Sequence, residues 1–200
     1  MLTRPFDGRR PRTEREYPAD AKNRPDLVHW PKAMARGVTL HTRSRVREVV
    51  VMKSAQIGWT EILGNVVGFH VDRDPAPILL VQPTLEMAEA WSKDRLAPMI
   101  RDTPALAGRI KDARSRDSGN TLLHKTFPGG HITVAGANSP AGLASRPIRI
   151  VLCDEVDRYP ASAGTEGDPI ALARKRSTTF WNRKLLMGST PTVEGSSRIA

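Results

Sequence analysis

The rhythm of apolar and polar positions changes several times along the chain, and each change marks an element. Val46 to Met52 contains Val49-Val50-Val51, a run suited to a strand buried on both faces of a parallel sheet. From Thr60 to about Val71, Ile62, Leu63, Val66, Val67 and Phe69 recur close to helical spacing, and Asp72 to Pro77 ends that helix. Ile78-Leu79-Leu80-Val81 predicts a second buried strand closed by Gln82-Pro83-Thr84. Leu85 to Ile100 then reads as a helix with Met87, Ala88, Trp91, Leu96 and Met99 inward. Residues 103–120 are polar and irregular. Leu122 to Phe127 and His131 to Ala135 flank Pro128-Gly129-Gly130, which predicts a hairpin. Ile148 to Cys153 is a third strong buried strand and Lys184 to Met187 a fourth, with a helix from about Pro169 to Phe180 between them. Strands alternating with helices imply an α/β fold, a mostly parallel sheet sandwiched by helices.

Length allows one such domain with a real core, and residues 1–30 add a different texture. They carry Arg4, Arg9, Arg10, Arg12 and Arg15 among several prolines, so they read as a basic extended arm, with the domain occupying 31–200. Thirty-one Lys and Arg against 21 Asp and Glu give a net charge of +10, a balance that favours a polyanion such as nucleic acid as partner. The single Cys153 cannot form an internal disulfide, and no N-terminal run resembles a signal peptide or membrane span. A reducing cytoplasmic setting is the expectation.

The chemistry concentrates at strand ends. Lys53-Ser54-Ala55-Gln56-Ile57-Gly58-Trp59-Thr60 sits at a strand-to-helix turn, where backbone N–H groups and the helix dipole can hold a phosphate. Against the pattern G-x-x-x-x-G-K-[ST], Gly58 and Thr60 take the late-glycine and hydroxyl places, Trp59 stands in the lysine place and Lys53 in that of the first glycine. Lys53 could reach the phosphates from the opposite end of the loop, and Thr60 could offer its hydroxyl to Mg²⁺. A capped strand-turn-helix corner is the competing reading. Ile148 to Cys153 delivers Asp154 and Glu155 at its carboxyl end, the edge where ligands bind in open α/β sheets. Asp154 would bind Mg²⁺, and Glu155 would orient or deprotonate an attacking water. Gly188-Ser189-Thr190-Pro191-Thr192 follows the fourth strand at the same edge; it is either a sensor of the terminal phosphate or a simple Pro-ended turn. Gln82-Pro83-Thr84 is open in the same way.

In this order the motifs resemble the large subunits of tailed-phage terminases, in their lambda-type branch, which are DNA-packaging ATPases. The resemblance runs from about residue 25 to 199 through Arg47 to Gly58, Val81 to Thr84, Asp154-Glu155-Val156-Asp157-Arg158-Tyr159-Pro160 and Gly188 to Thr192. It implies a P-loop NTPase core of the ASCE/recA-like kind and an ATP hydrolase that uses Mg²⁺. Lys53 to Thr60 would bind nucleotide, Thr60 and Asp154 the metal, and Glu155 would be catalytic. Ser189, Thr190 and Pro191 would couple hydrolysis to DNA movement. Arg146, in the segment Asn138 to Pro147, would be an arginine finger presented to a neighbouring subunit, or else a DNA-contacting or surface arginine. The resemblance leaves the adenine contact unplaced, with Tyr17 and Trp30 as aromatic candidates.

Implied partners are double-stranded DNA, a small terminase subunit, the portal protein and further copies of the chain, in the cytoplasm of a bacterial host and away from membranes. Arm residues Arg4 to Arg15 and the basic stretch from Arg109 to Lys125 could contact DNA phosphates or be solvated faces. Members of the family continue into a nuclease domain, so no nuclease activity is expected of these 200 residues. Two other functions stay open: a helicase-like translocase, which normally needs a second core, and a truncated assembly or regulatory remnant without turnover.

Overall fold

The computed structural model describes residues 46–110, 120–192, 195 and 197–199. Those from Arg47 onward belong to one compact unit. The expected arm and its boundary at residue 30, Tyr17, Trp30 and the stretch 111–119 lie outside the described residues.

Six strands form one sheet in the order β1 (Glu48–Met52), β6 (Lys184–Ser189), β5 (Ile150–Asp154), β2 (Pro77–Gln82), β4 (Gly130–Gly136), β3 (His124–Phe127). All neighbours are parallel except β3 and β4, the predicted hairpin, whose turn puts Gly129 at φ 83°, where glycine carries no Cβ penalty. β2 and β5 lie inside the sheet, and Ile78, Leu80, Ile150 and Leu152 are fully buried. Alternate residues point to opposite faces. On one face Leu79, Val81, Val151, Cys153, Leu185 and Met187 pack with Leu143 of α5 (Pro140–Ala144) and with Ile170, Leu172 and Ala173 of α6 (Pro169–Lys175). The opposite face receives α1 (Trp59–Asp72), whose buried side is Trp59, Leu63, Val66, Val67, His70 and Val71. Its Trp59 ring lies on the backbone of Gly188, where an added Cβ would sit 2.4 Å from Cε2.

Several details depart from the sequence expectations. Strand β1 is an edge strand, half exposed along its length, with Val50 and Met52 at 52% and 63% exposure. Its valine run encodes a strand and not the position in the sheet. The helix from Leu85 is continuous to Asp102 but widens: α2 (Leu85–Trp91) passes through a π turn at Ser92–Leu96 into α3 (Ala97–Asp102). The widened turn precedes Pro98, whose ring in an ordinary helix would meet the carbonyl four residues back. Ala88, Trp91 and Leu96 are inward as expected, whereas Met87 is 36% exposed and Met99 is half-buried. Residues Pro104–Ala107 add the short α4, from which Leu106 reaches α1 at Gly68. Helix α6 stops at Lys175 and not at Phe180, because the Ser177 and Thr178 hydroxyls bond back to the carbonyls of Arg174 and Lys175. Among the described residues no helix is long and apolar enough to cross a membrane.

At the amino ends of the strands, His70 is buried against Asp74 and Arg149. Its Nδ1 lies 2.8 Å from the Asp74 carbonyl, and the Arg149 guanidinium pairs with the Asp74 carboxylate. Burial pushes the imidazole down from 6.5 to about 4.

Candidate active site

The carboxyl ends of β1, β6, β5 and β2 gather residues far apart in sequence. Lys53 leaves β1 buried, its backbone N–H donating to the Ser189 carbonyl at 3.0 Å. Its ammonium rests on Glu155 Oε1, 102 residues away in sequence. Between β1 and β5 runs β6, so the lysine and the glutamate meet across that strand's end. Ser54 to Ile57 are exposed, and the loop closes with Gln56 and Gly58 in the left-handed region, at φ 58° and 81°. Such alternations turn successive backbone N–H groups toward one side, and here they open onto the first turn of the 14-residue α1.

Asp154 ends β5, only 4% exposed. Its Oδ2 accepts from the Thr60 hydroxyl and from Gln82 Nε2, both at 3.2 Å. Its Oδ1 is buried with no partner among the described residues. Burial raises the carboxyl above its ordinary range and the Glu155 charge adds to this, against the lowering effect of the Gln82 and Thr60 hydrogen bonds. A buried carboxylate oxygen without a donor is costly unless a cation or water meets it. Oδ1 together with the Thr60 hydroxyl therefore fits a divalent cation. No group of three or more His, Cys, Asp or Glu side chains among the described residues could hold a metal alone.

Glu155 itself adopts φ 53°, ψ 50°, a conformation few non-glycine residues take. The 3-10 turn Val156–Arg158 follows it, and Tyr159 anchors that turn by donating its hydroxyl to the Val81 carbonyl at 2.8 Å. Ser189 Oγ accepts the Asp157 N–H at 3.2 Å, so Ser189 touches both Lys53, through its carbonyl, and the turn after Glu155. The Asp157 carboxylate gathers the Thr192 N–H, the Ser197 hydroxyl and the Arg198 N–H at 3.1, 2.6 and 2.8 Å. Burial opposes its ionisation, and these donors still hold it below the usual carboxylate range.

Lys53, Thr60, Asp154, Glu155 and Ser189 thus come together at one edge of the sheet. Trp59 differs: it lies in the loop by sequence, yet its ring is 4% exposed and packs on Gly188. Arg146 stands apart. It is exposed after α5, Nη1 3.2 Å from His124 Nε2 on β3, at the sheet edge opposite β1. With Leu85, His124, Thr133 and Ser139 it lines a hollow of about 260 Å³. Lys125 is not a surface cation, because it is buried with Nζ donating to the Thr121 and Leu122 carbonyls. Arg109 pairs with Asp72 at 2.9 Å. Sequence reasoning left Gln82 open between a phosphate sensor and a simple turn, did not foresee it as a partner of Asp154, and gave Asp157 no role. The available signal was position, a polar side chain directly after a four-residue apolar strand at the carboxyl edge.

A family model described as "Phage terminase large subunit gpA, ATPase domain" matches residues 30–200. The terminase large subunit of Enterobacteria phage P21 is 30% identical over 155 residues, 77% of this chain and 24% of that protein. That of Escherichia phage lambda is 29% identical over 155 residues, with the same shares. The chain therefore spans about a quarter of the length of these curated relatives. Among solved structures, the large terminase ATPase domain of Thermus phage P74-26 superposes with a TM-score of 0.55 at 16% identity, over 80% of this chain and 66% of that one. A mutant of that domain gives 0.56 at 18%, over 79% and 65%. At such identity the likeness concerns the fold.

Proposed function

Because the chain belongs to the phage terminase large subunit gpA family through its ATPase domain, we propose that it hydrolyses Mg-ATP to drive double-stranded DNA into a viral procapsid. The observation that carries this reading is the meeting of Lys53 with Glu155 beside a buried Asp154 held by Thr60 and Gln82. In it, the backbone of Lys53 to Thr60 and the start of α1 surround the phosphates, and Lys53 extends to the β/γ-phosphates. Asp154 Oδ1 and the Thr60 hydroxyl hold Mg²⁺, which when bound neutralises phosphate charge.

Glu155 positions the attacking water and takes its proton as the water oxygen bonds to the γ-phosphorus and the bond to ADP breaks. A γ-phosphate between Lys53 and Glu155 would draw the ammonium toward its oxygens and leave the carboxylate to the water. Trp59 contributes through its backbone and not its ring. Arg146, exposed at the far edge of the sheet, suits a finger reaching a neighbouring copy's nucleotide better than one acting within its own subunit. Ser189, Thr190 and Pro191 would couple turnover to movement, since Ser189 touches both the Lys53 backbone and the Asp157 turn.

The reading carries with it a small terminase subunit, a portal protein and further copies of the chain as partners, in the cytoplasm of a bacterial host. Residues 1–30 would be a basic arm along DNA. The test is phosphate release with and without double-stranded DNA, for the chain itself and for Glu155→Gln and Lys53→Ala. Turnover should fall by at least about 100-fold in either variant, on the scale of losing a catalytic base or a charge-stabilising donor. Undetectable turnover in the unaltered chain, or turnover unmoved by Glu155→Gln, overturns the proposal.

A further inference from the structure

The segment between α6 and β6 lies at the amino end of the sheet, away from the phosphate loop. With β6 rising about 3.3 Å per residue, Lys184 and Ser189 are about 16 Å apart. From residue 169 to 193 the chain has no Asp or Glu but carries Arg174, Lys175, Arg176, Arg183 and Lys184. Successive turns hold these residues close together: Arg176 N–H bonds to the Ala173 carbonyl, Ser177 to Arg174, Phe180 to Ser177 and Arg183 to Phe180. Arg174 is spent on an ion pair with Glu48 at 3.0 Å, and Lys184 is buried. Lys175 is exposed and Arg183 half-buried.

On this same knuckle stands Trp181, 82% exposed, while Trp59 and Trp91 are buried at 4% and 6%. Trp181 is the most exposed large apolar side chain among the described residues, and its place beside cations in an acid-free stretch restricts what would cover it. A mainly apolar protein partner would meet the cations unpaired, whereas a nucleic-acid strand satisfies both features, its phosphates the cations and a base face the indole. Bases of an intact duplex are stacked on one another and offer the ring nothing except at an end.

We infer that the surface around Trp181, Lys175 and Arg183 binds unpaired nucleotides of DNA, as in a single-stranded stretch or a duplex end. The contact is separate from the hydrolytic site and does not depend on turnover, although it gives the motor proposed above a second hold on its substrate.

The test is fluorescence anisotropy with a labelled oligothymidylate of about 15 nucleotides, a length matched to small single-strand sites, using the full chain without nucleotide. Trp181→Ala should weaken binding about tenfold, the scale of one lost base stack, while Trp181→Phe retains most of it. Lys175→Glu with Arg183→Glu should weaken it further and flatten its salt dependence. Glu155→Gln should bind as the unaltered chain does, so failure of the ATPase reading and failure of this one are read separately. Equal binding by Trp181→Ala, an equal loss in Trp181→Phe, or stronger competition by a closed circular duplex, which has no ends, than by unlabelled oligothymidylate overturns the inference. The last two outcomes point to a packing role for the ring and to plain electrostatic contact, respectively.

Discussion

Replacing Trp59 by lysine would restore the commoner phosphate-loop pattern, and the structure predicts that the restoration fails. The ring is 4% exposed and lies against Gly188, whose missing side chain makes room for it. Large aromatic truncations in cores cost about 3–5 kcal/mol, and a lysine stem recovers part of that contact while its ammonium seeks water. A net loss of about 3 kcal/mol is expected, which in a domain of this size lowers Tm by about 6–12 °C. Thermal unfolding followed by circular dichroism measures the first quantity and phosphate release the second. Trp59→Lys should unfold at lower temperature and gain no turnover. Decisively, Lys53→Ala combined with Trp59→Lys should stay as inactive as Lys53→Ala alone, since position 59 points its side chain into the sheet. Rescue of turnover in the double variant, or a Tm unchanged by Trp59→Lys, would refute the argument.

Further outcomes follow from the same packing. Gly188→Ala should destabilise the domain through the Trp59 contact, and Trp59→Leu should relieve much of that loss, a coupling readable in a double-mutant cycle by denaturant unfolding. His70, near 6.5 unfolded and about 4 folded, takes up its proton only on unfolding between those values, so its stability contribution is intact above pH 6.5 and lost as pH falls toward 4. The difference amounts to about 3 kcal/mol at most, and His70→Gln should flatten the Tm profile over that window. Cys153, fully buried in β5 and pushed up to about 12, should react with a thiol reagent only as fast as the domain unfolds, measured by labelling with and without denaturant. Asp157→Ala should speed amide hydrogen exchange at Thr192 and Arg198, whose N–H groups it holds, while the β5 amides keep their protection.

The parts of this fold that were legible in the sequence are those where local pattern and tertiary role coincide. Ile78 to Val81 and Ile150 to Cys153 are unbroken apolar runs because both faces of their strands are covered, and Gly129 announced the hairpin because its backbone needs positive φ. Position within the sheet was not legible. Val49-Val50-Val51 reads like those central strands, yet β1 lies at the edge, since strand order is decided by pairings between distant segments. The site divided in a similar way. Lys53, Thr60, Asp154, Glu155 and Ser189 follow apolar strands at a common edge and could be picked out one by one. Gln82 becomes a partner of Asp154 only once β2 and β5 are neighbours, and Trp59 becomes a core residue only once Gly188 faces it. Lys125 misled because its charge is visible in sequence, while the Thr121 and Leu122 carbonyls that enclose its ammonium are not.

The placement of β6 between the loop strand and the carboxylate strand also sets which changes of length the chain can tolerate. Lys53 and Glu155 are aligned by pairing to opposite sides of one six-residue strand, Met52 to Ser189 and Asp154 to Gly188. A slip of β6 by one residue would turn Gly188 away from Trp59 and exchange the faces of Leu185 and Leu186. An insertion taken up before Lys184, in the solvent-facing turns, leaves this alignment alone, whereas the same insertion inside the strand separates the lysine from the glutamate. The domain is therefore open to lengthening at the amino end of β6 and closed to it along the strand's length.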